Sequence, residues 1–415
     1  MISVDEALEI IRGSCMPLAV ERVPLLHANG RVLAVPVDAP RALPAFDNSA
    51  MDGYALRWCE GLGAGSELPV LAEQAAGDGV ANQSEGACSI MTGARIPDGL
   101  DTVVPVEDCT VTARNGEGGP RSIILSAPLR AGQHVRRAGE DVAAGQRVLE
   151  AGARLDAEAL MVLRGIGIGA VDVRRRPRLA LACTGRELVD ADGAGLAPGQ
   201  IANTNGPYLE HLFIEAGADL VERVTLPDEP SAFAAWLTRW LEAGVELVVT
   251  TGAVSMGRYD FVPEVLRAAG MKIVFHKLRM RPGKPLLLAA AGGSLVFGLP
   301  GNPMACAAGA RFFVNAALRA FAGRRPEQAL LLPLAEPVRK KPGFRLIQKA
   351  ALAIGSDAVL TVRLLPGQES FRTAPLLAAQ AWAVLPEEGE ILPAGTPVPV
   401  YPLRAGAALF DGRSA

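Results

Sequence analysis

Between residues 176 and 325 the chain alternates short apolar runs with segments whose apolar residues recur every three or four positions. The runs at 179–183, 220–226, 247–251, 272–275 and 294–299 read as strands. A helix over 207–216 places Leu209, Leu212, Phe213 and Ala216 on one face, and the next, after Asp228-Glu229-Pro230, carries Phe233, Trp236, Leu237, Trp240 and Leu241. Helices over 261–269 and 304–321 complete the series. Buried strands separated by amphipathic helices predict a largely parallel, helix-covered sheet.

The flanks carry a different pattern. Ser3 and Glu6 have capping-box spacing for a helix over 4–11, followed by a turn at Gly30 and a Val-rich strand. From 44 to 132 short β runs are separated by Gly-rich turns, most clearly a hairpin of 109–113 with 122–125. Residues 133–175 add a strand and a helix over 157–164 that ends at Gly165-Ile-Gly167-Ile-Gly169. Because this G-x-G-x-G follows a helix rather than a strand, it predicts a helix stop and not a dinucleotide site. The tail, 328–405, is Pro-punctuated β structure expected to form a small barrel.

Composition narrows the class. A chain of 415 residues is long enough for several domains, and half of it is apolar. Its 45 Gly and 31 Pro exceed ordinary usage without any collagen period, so they belong in ordered loops. A net charge of −3 and a pI near 6.0 lack the basic signature of a nucleic-acid binder. Six scattered cysteines without a C-x-x-C pair, and four dispersed histidines, predict neither a disulfide framework nor a zinc site. Free thiols, and a start without basic and apolar signal regions, lead to the expectation of a cytoplasmic protein. Residues 285–310 carry no charge and would be long enough to span a bilayer. Gly292-Gly293 and Pro300-Gly301-Asn302-Pro303 break that run, so strand, turn, strand and helix start is the expectation, with no membrane role.

Ligands of open α/β sheets bind at the carboxyl ends of the strands. Three such ends here lead into Thr184-Gly185-Arg186-Glu187-Leu188, Thr251-Gly252-Ala253-Val254-Ser255-Met256-Gly257, and Pro300-Gly301-Asn302-Pro303. Backbone N–H groups, hydroxyls and a helix start can cradle an anion, and three loops point there more firmly than one. Glu187, Asp228 and Asp260 lie near them and would suit a hard cation such as Mg²⁺, which bridges to substrate phosphates. Each carboxylate taken alone is equally a cap or a surface charge, and for Asp228 helix capping is the better single-residue reading. The segment Lys277-Leu-Arg279-Met-Arg281-Pro-Gly-Lys284 supplies positive charge, with 277, 279 and 281 on one face of an extended chain. A charged edge strand explains it equally well. Two further polar blocks, 46–55 around Asp52 and 90–108 around Thr92, read on pattern alone as turns in a β domain.

Together these blocks resemble the MoeA family, the molybdopterin molybdenumtransferases that include the E domain of gephyrin. The ordered matches are FDNSAMDGYA (46–55), MTGA with DTVVPVED (91–108), TGREL (184–188), TTGAVSMG with Asp260 (250–260), RPGKP (281–285) and GLPGNP (298–303). The resemblance implies a multidomain α/β plus β fold: a central three-layer molybdopterin-binding α/β domain (176–326), a β-rich insert (44–132), a C-terminal β-barrel-like domain (327–415), and a discontinuous linker and dimerisation domain (1–43 plus 133–175). It implies a Mg²⁺-dependent transferase of molybdenum cofactor biosynthesis that inserts molybdate into adenylylated molybdopterin and releases AMP. A homodimer with a site shared between subunits is implied, together with a molybdopterin adenylyltransferase and molybdoenzymes as partners. By position, Asp52, Thr92, Glu187, Asp228, Asp260, Lys277, Arg281 and Lys284 are the implied catalytic residues, with the three carboxylates Glu187, Asp228 and Asp260 assigned to Mg²⁺. Thr184, Gly185, Thr251, Gly252, Ser255, Gly257, Pro300, Gly301, Asn302 and Pro303 are the implied substrate-binding residues. Arg186, Ala253, Arg281, Lys349, Arg372 and Thr373 depart from the family pattern, Ala253 standing where a second Gly is usual. A non-catalytic carrier or scaffold that binds molybdopterin or an anion is the alternative, which clustered acids beside an anionic ligand disfavour. A single-domain adenylyltransferase is disfavoured by the large flanks.

Overall fold

The computed structural model describes residues 1–83, 85–190, 195–254, 260–355 and 358–406. The chain divides into two compact units, one of Met1–Glu21, Gly30–Ala34 and Val173–Ala415, the other of Arg22–Asn29 and Val35–Asp172.

The first unit contains a six-stranded sheet. Its strands are β1 (Arg178–Thr184), β2 (Asp219–Leu226), β3 (Leu247–Thr251), β4 (Lys272–His276), β5 (Leu287–Ala291) and β6 (Ser294–Leu299). They lie in the order β2-β1-β3-β6-β5-β4. The first four in that order are parallel, and β5 runs antiparallel to both neighbours. The uncharged stretch expected to be strand, turn and strand is β5, the turn at Gly292-Gly293 and β6, in the middle of a covered sheet. No helix among the described residues is long and apolar enough to cross a membrane.

Side-chain alternation along the strands divides the core into two layers. Leu179, Leu181, Val249 and Phe297 pack with Leu209, Leu212 and Phe213 of helix Asn205–Glu215 and with Phe313 and Leu318. Ala180, Ala182, Val248 and Val296 pack with Phe233, Trp236 and Leu237 of helix Pro230–Glu242 and with Val262 and Leu266 of helix Val262–Ala268. The expected capping box closes helix Val4–Gly13, where Ser3 and Glu6 exchange hydrogen bonds of 2.7 and 3.1 Å.

The helix expected over 304–321 is not uniform. Pro303–Gly309 and Asn315–Phe321 are α-helical, and a π-turn, Ala310–Val314, joins them. Arg311 in that turn is only 1% exposed. Its guanidinium meets both oxygens of Glu327, at 2.8 and 2.7 Å, and donates to the Pro402 carbonyl at 3.1 Å.

Downstream, Leu330–Pro333, Arg345–Ile354, Leu360–Leu364, Ala381–Leu385 and Pro397–Pro402 form the expected barrel. Antiparallel ladders link them in turn, and a bridge from Leu334 to Val362 closes the ring. Val362, Leu385, Val398 and Val400 fill its interior.

The second unit is built on a mixed six-stranded sheet in the order Thr102–Pro105, Gly53–Leu56, Ala87–Ile90, Glu67–Gln74, Pro120–Leu125, Cys109–Arg114. Its last two strands are the predicted hairpin. Helix Ala157–Gly165 is N-capped by Asp156, and Gly167 just beyond it has φ +88°, the left-handed stop expected of that glycine run. All six cysteines are free thiols.

Candidate functional site

The ladder aligns Cys183 with Thr251 and Thr251 with Leu299, so β1, β3 and β6 end level with one another. Beyond these carboxyl ends lies a cleft of about 610 Å³. Thr184 at the end of β1 lines it with Gly185 and Glu187 beyond, Asp228 follows β2, Thr251 ends β3 with Gly252 and Asp260 beyond, and Gly301, Asn302 and Pro303 follow β6. Leu188, Ile201–Asn205, Ala253 and Phe371 complete the lining.

Close backbone packing shapes this floor. The Thr184 hydroxyl donates to the Thr251 carbonyl at 3.0 Å, and the Gly252 N–H to the Leu299 carbonyl at 3.1 Å. Gly252 has φ +88°, and a Cβ there would sit 2.5 Å from the Thr184 carbonyl oxygen, so both conformation and space demand glycine. Ala253 beside it has φ +50°, the left-handed conformation that makes its departure from the family pattern strained. The Asn205 amide donates to the Gly301 carbonyl at 2.7 Å and ties the third loop to helix Asn205–Glu215.

The helix-cap reading of Asp228 is corrected. Glu229 holds the N-cap position of helix Pro230–Glu242, without a side-chain cap bond, because Pro230 begins the helix. Asp228 instead accepts from the Arg186 N–H at 3.3 Å, which turns its carboxylate toward the first loop.

Within the lining, Asn203 is largely buried and donates to Thr225 at 2.8 Å while accepting from the Gly206 N–H at 2.9 Å. Thr225 donates to Asp190 at 2.6 Å, and Arg223 bridges Asp190 and Glu210. Burial works to raise the Asp190 carboxyl, but the hydrogen bonds from Thr225 and Arg223 outweigh it and hold the group below the usual carboxylate range. These residues position the cleft's rear wall. Their polar types are dispersed through 190–225, and no motif signalled them.

The basic segment leaves the same end of the sheet. His276 pairs with Leu287, and Leu287 with Gly298, so the connection 277–286 emerges where β6 ends. Leu278 and Met280 are buried while Arg279 and Arg281 are exposed, as the alternation predicted. Lys277 has φ +83° and breaks the extended run. The Arg281 guanidinium lies 4.4 Å from the centre of the Phe344 ring, with the Lys284 ammonium 5.9 Å from it. The described lining of the cleft does not include Lys277, Arg281 or Lys284, nor the buried Pro300. Ser255 and Gly257 lie outside the described residues.

Asp52 and Thr92 belong to the other compact unit and meet each other there: Asp52 Oδ1 accepts from the Thr92 N–H at 2.6 Å and its hydroxyl at 2.8 Å. Among the described residues no group of three or more His, Cys, Asp or Glu could by itself hold a metal ion. Glu187, Asp228 and Asp260 line one cleft and are hard oxygen donors, the ligand type that would suit Mg²⁺.

Residues 2–167 match the family model of the MoeA N-terminal region (domain I and II), 180–320 that of a probable molybdopterin binding domain, and 332–403 that of the MoeA C-terminal region (domain IV). The molybdopterin molybdenumtransferase of Synechococcus elongatus is 39% identical over 97% of this chain and 100% of its own. The molybdopterin molybdenumtransferase 2 of Mycobacterium tuberculosis is 33% identical over 97% of this chain and 100% of its own. A crystal structure of the molybdopterin biosynthesis MoeA protein from Pyrococcus horikoshii OT3 superposes with a TM-score of 0.78 and 27% identity, over 96% of this chain and 99% of that one. Matched in this way through all its parts, the chain belongs to the MoeA family of molybdopterin molybdenumtransferases.

Proposed function

We infer that this chain, a transferase of molybdenum cofactor biosynthesis, inserts molybdate into adenylylated molybdopterin and releases AMP. The observation that carries this reading is the convergence of hydroxyl, amide and carboxylate groups from four strand ends on one cleft in a MoeA chain. The loops at Thr184-Gly185, Thr251-Gly252 and Gly301-Asn302 offer backbone and hydroxyl donors to the phosphate of the substrate. Lys277, Arg281 and Lys284 leave the same sheet end and supply positive charge for molybdate and phosphate, stabilisation that is mainly electrostatic. Glu187, Asp228 and Asp260 would hold Mg²⁺ with its waters, which when bound neutralises phosphate charge. Ser255 and Gly257 keep the substrate-binding role that their motif implies.

The same reading includes a homodimer in which Asp52 and Thr92 serve the cleft of the second copy. It includes a four-part division of the chain at 43, 132, 175 and 326, an upstream molybdopterin adenylyltransferase, downstream molybdoenzymes and a cytoplasmic location. The test is AMP release and formation of active cofactor from adenylylated molybdopterin, molybdate and Mg²⁺. Tight binding without AMP release would instead favour the carrier alternative.

A further inference from the structure

Most of the cleft lining is polar, yet two large apolar side chains stand exposed in it. Phe371 is 65% exposed and Ile201 is 53% exposed. Scattered exposed apolar residues are ordinary on a protein surface, but these two share a cleft, and the backbone around each is held.

Phe371 comes from the barrel, on the loop after Leu360–Leu364. Lys349, 1% exposed, donates its ammonium to the Arg372 carbonyl at 3.0 Å, and the Met304 N–H donates to the Ser370 carbonyl at 2.9 Å. Both residues flanking Phe371 are therefore fixed, one to a barrel strand and one to the helix that begins at Pro303. Gln368 anchors the loop further: its side chain accepts from the Lys349 N–H at 3.0 Å and donates to the Lys349 carbonyl at 2.7 Å. Ile201 donates its N–H to the Glu187 carbonyl at 2.8 Å, which joins it to the first site loop. The loop thus holds Phe371 exposed at the cleft, with the Arg372 guanidinium 5.8 Å from its ring centre, instead of packing it away. A rigid ring with few rotamers to freeze is suited to stacking.

Building on the proposed function, we propose that Phe371, with Ile201, seats a planar nitrogen heterocycle of the ligand. Pterin and adenine, both carried by adenylylated molybdopterin, share that chemistry. A cleft of about 610 Å³ has room for a ring beside a phosphate cradle. Phe371 is a specificity-determining residue in this arrangement, and Lys349 and Gln368 are positioning residues.

Titration calorimetry on the full chain tests this with adenylylated molybdopterin, AMP and ribose 5-phosphate. Phe371→Ala is expected to weaken adenylylated molybdopterin about tenfold, to raise its KM without changing the KM for molybdate, and to leave ribose 5-phosphate unchanged. Phe371→Tyr keeps the ring and should bind like the wild type; Phe371→Leu keeps bulk without the ring and should not. These two variants carry the test if Phe371→Ala fails to fold. Parallel weakening of AMP assigns the seat to adenine, and unchanged AMP assigns it to the pterin. Equal binding by wild type and Phe371→Ala, full affinity in Phe371→Leu, or equal weakening of ribose 5-phosphate overturns the inference alone. A wild-type chain that binds neither adenylylated molybdopterin nor AMP overturns the functional reading beneath it.

Discussion

Asp52 and Thr92, forty positions apart in sequence, are joined by two hydrogen bonds on one carboxylate oxygen. The sheet accounts for the meeting: Gly53 pairs with Ile90 across adjacent antiparallel strands, which brings the ends of two polar blocks side by side. The Thr92 N–H, then its hydroxyl, hold the Asp52 carboxyl below its ordinary value of 3.8. The contribution of this pair to stability is therefore complete above that value and is lost as pH falls through the lower folded one. Thr92→Val should raise the Asp52 midpoint toward 3.8 in a carboxyl-resolved NMR titration, and an unmoved midpoint would refute the assignment. Asp52→Ala is expected to abolish AMP release while the chain stays folded, with a small fall in melting temperature from the lost Thr92 bonds; normal turnover in that variant would remove Asp52 from the catalytic set.

Gly252→Ala should damage both stability and turnover. The left-handed backbone alone disfavours alanine by about 1–2 kcal/mol, and the added methyl would meet the Thr184 carbonyl at 2.5 Å. Denaturant unfolding should show a loss larger than the conformational preference by itself, with AMP release falling in parallel.

Next to it, Ala253→Gly should act in the opposite sense. At φ +50° the methyl group is the strained feature, and its removal should stabilise the chain by about 0.5–1 kcal/mol after the greater freedom of glycine in the unfolded state offsets part of the gain. A lower denaturant midpoint would show that packing of the methyl against the apolar layer beneath it outweighs the backbone strain.

Arg311→Met leaves the partly buried Glu327 carboxylate without its bidentate partner, with the Asn315 amide left at 3.4 Å. A loss of about 3 kcal/mol or more is expected. Adding Glu327→Leu should recover much of it, because the penalty comes from the stranded charge. A double variant as unstable as the single one would locate the effect in packing instead.

The α/β layers were legible because strand and helix periodicities alternate from Leu179 to Phe321 with only the loops between them irregular. Most of the cleft was legible for a related reason: strand ends are easily found, and Thr184, Gly185, Glu187, Asp228, Thr251, Gly252, Asp260 and Gly301–Pro303 all lie at or beyond one. The π-turn at Ala310–Val314 was not, since its apolar pattern runs on like that of an α-helix. Asp228 was misread because the cap position depends on where Pro230 starts the helix, a matter of one residue. Phe371 was invisible for a different reason. It reaches the cleft from the barrel domain, and a lone aromatic residue in a Pro-punctuated tail has no periodicity to mark it.

The bridge from Leu334 to Val362 has a bearing on aggregation. A ring of strands presents no row of unpaired amides to another molecule, whereas an opened ring presents two. One of those rims would include Leu330 and Leu331, already half or more exposed, in a run of adjacent leucines. Loss of that bridge is expected to bare the outer edge of Leu330–Pro333 and to favour self-association, through two apolar residues with no part in the chemistry.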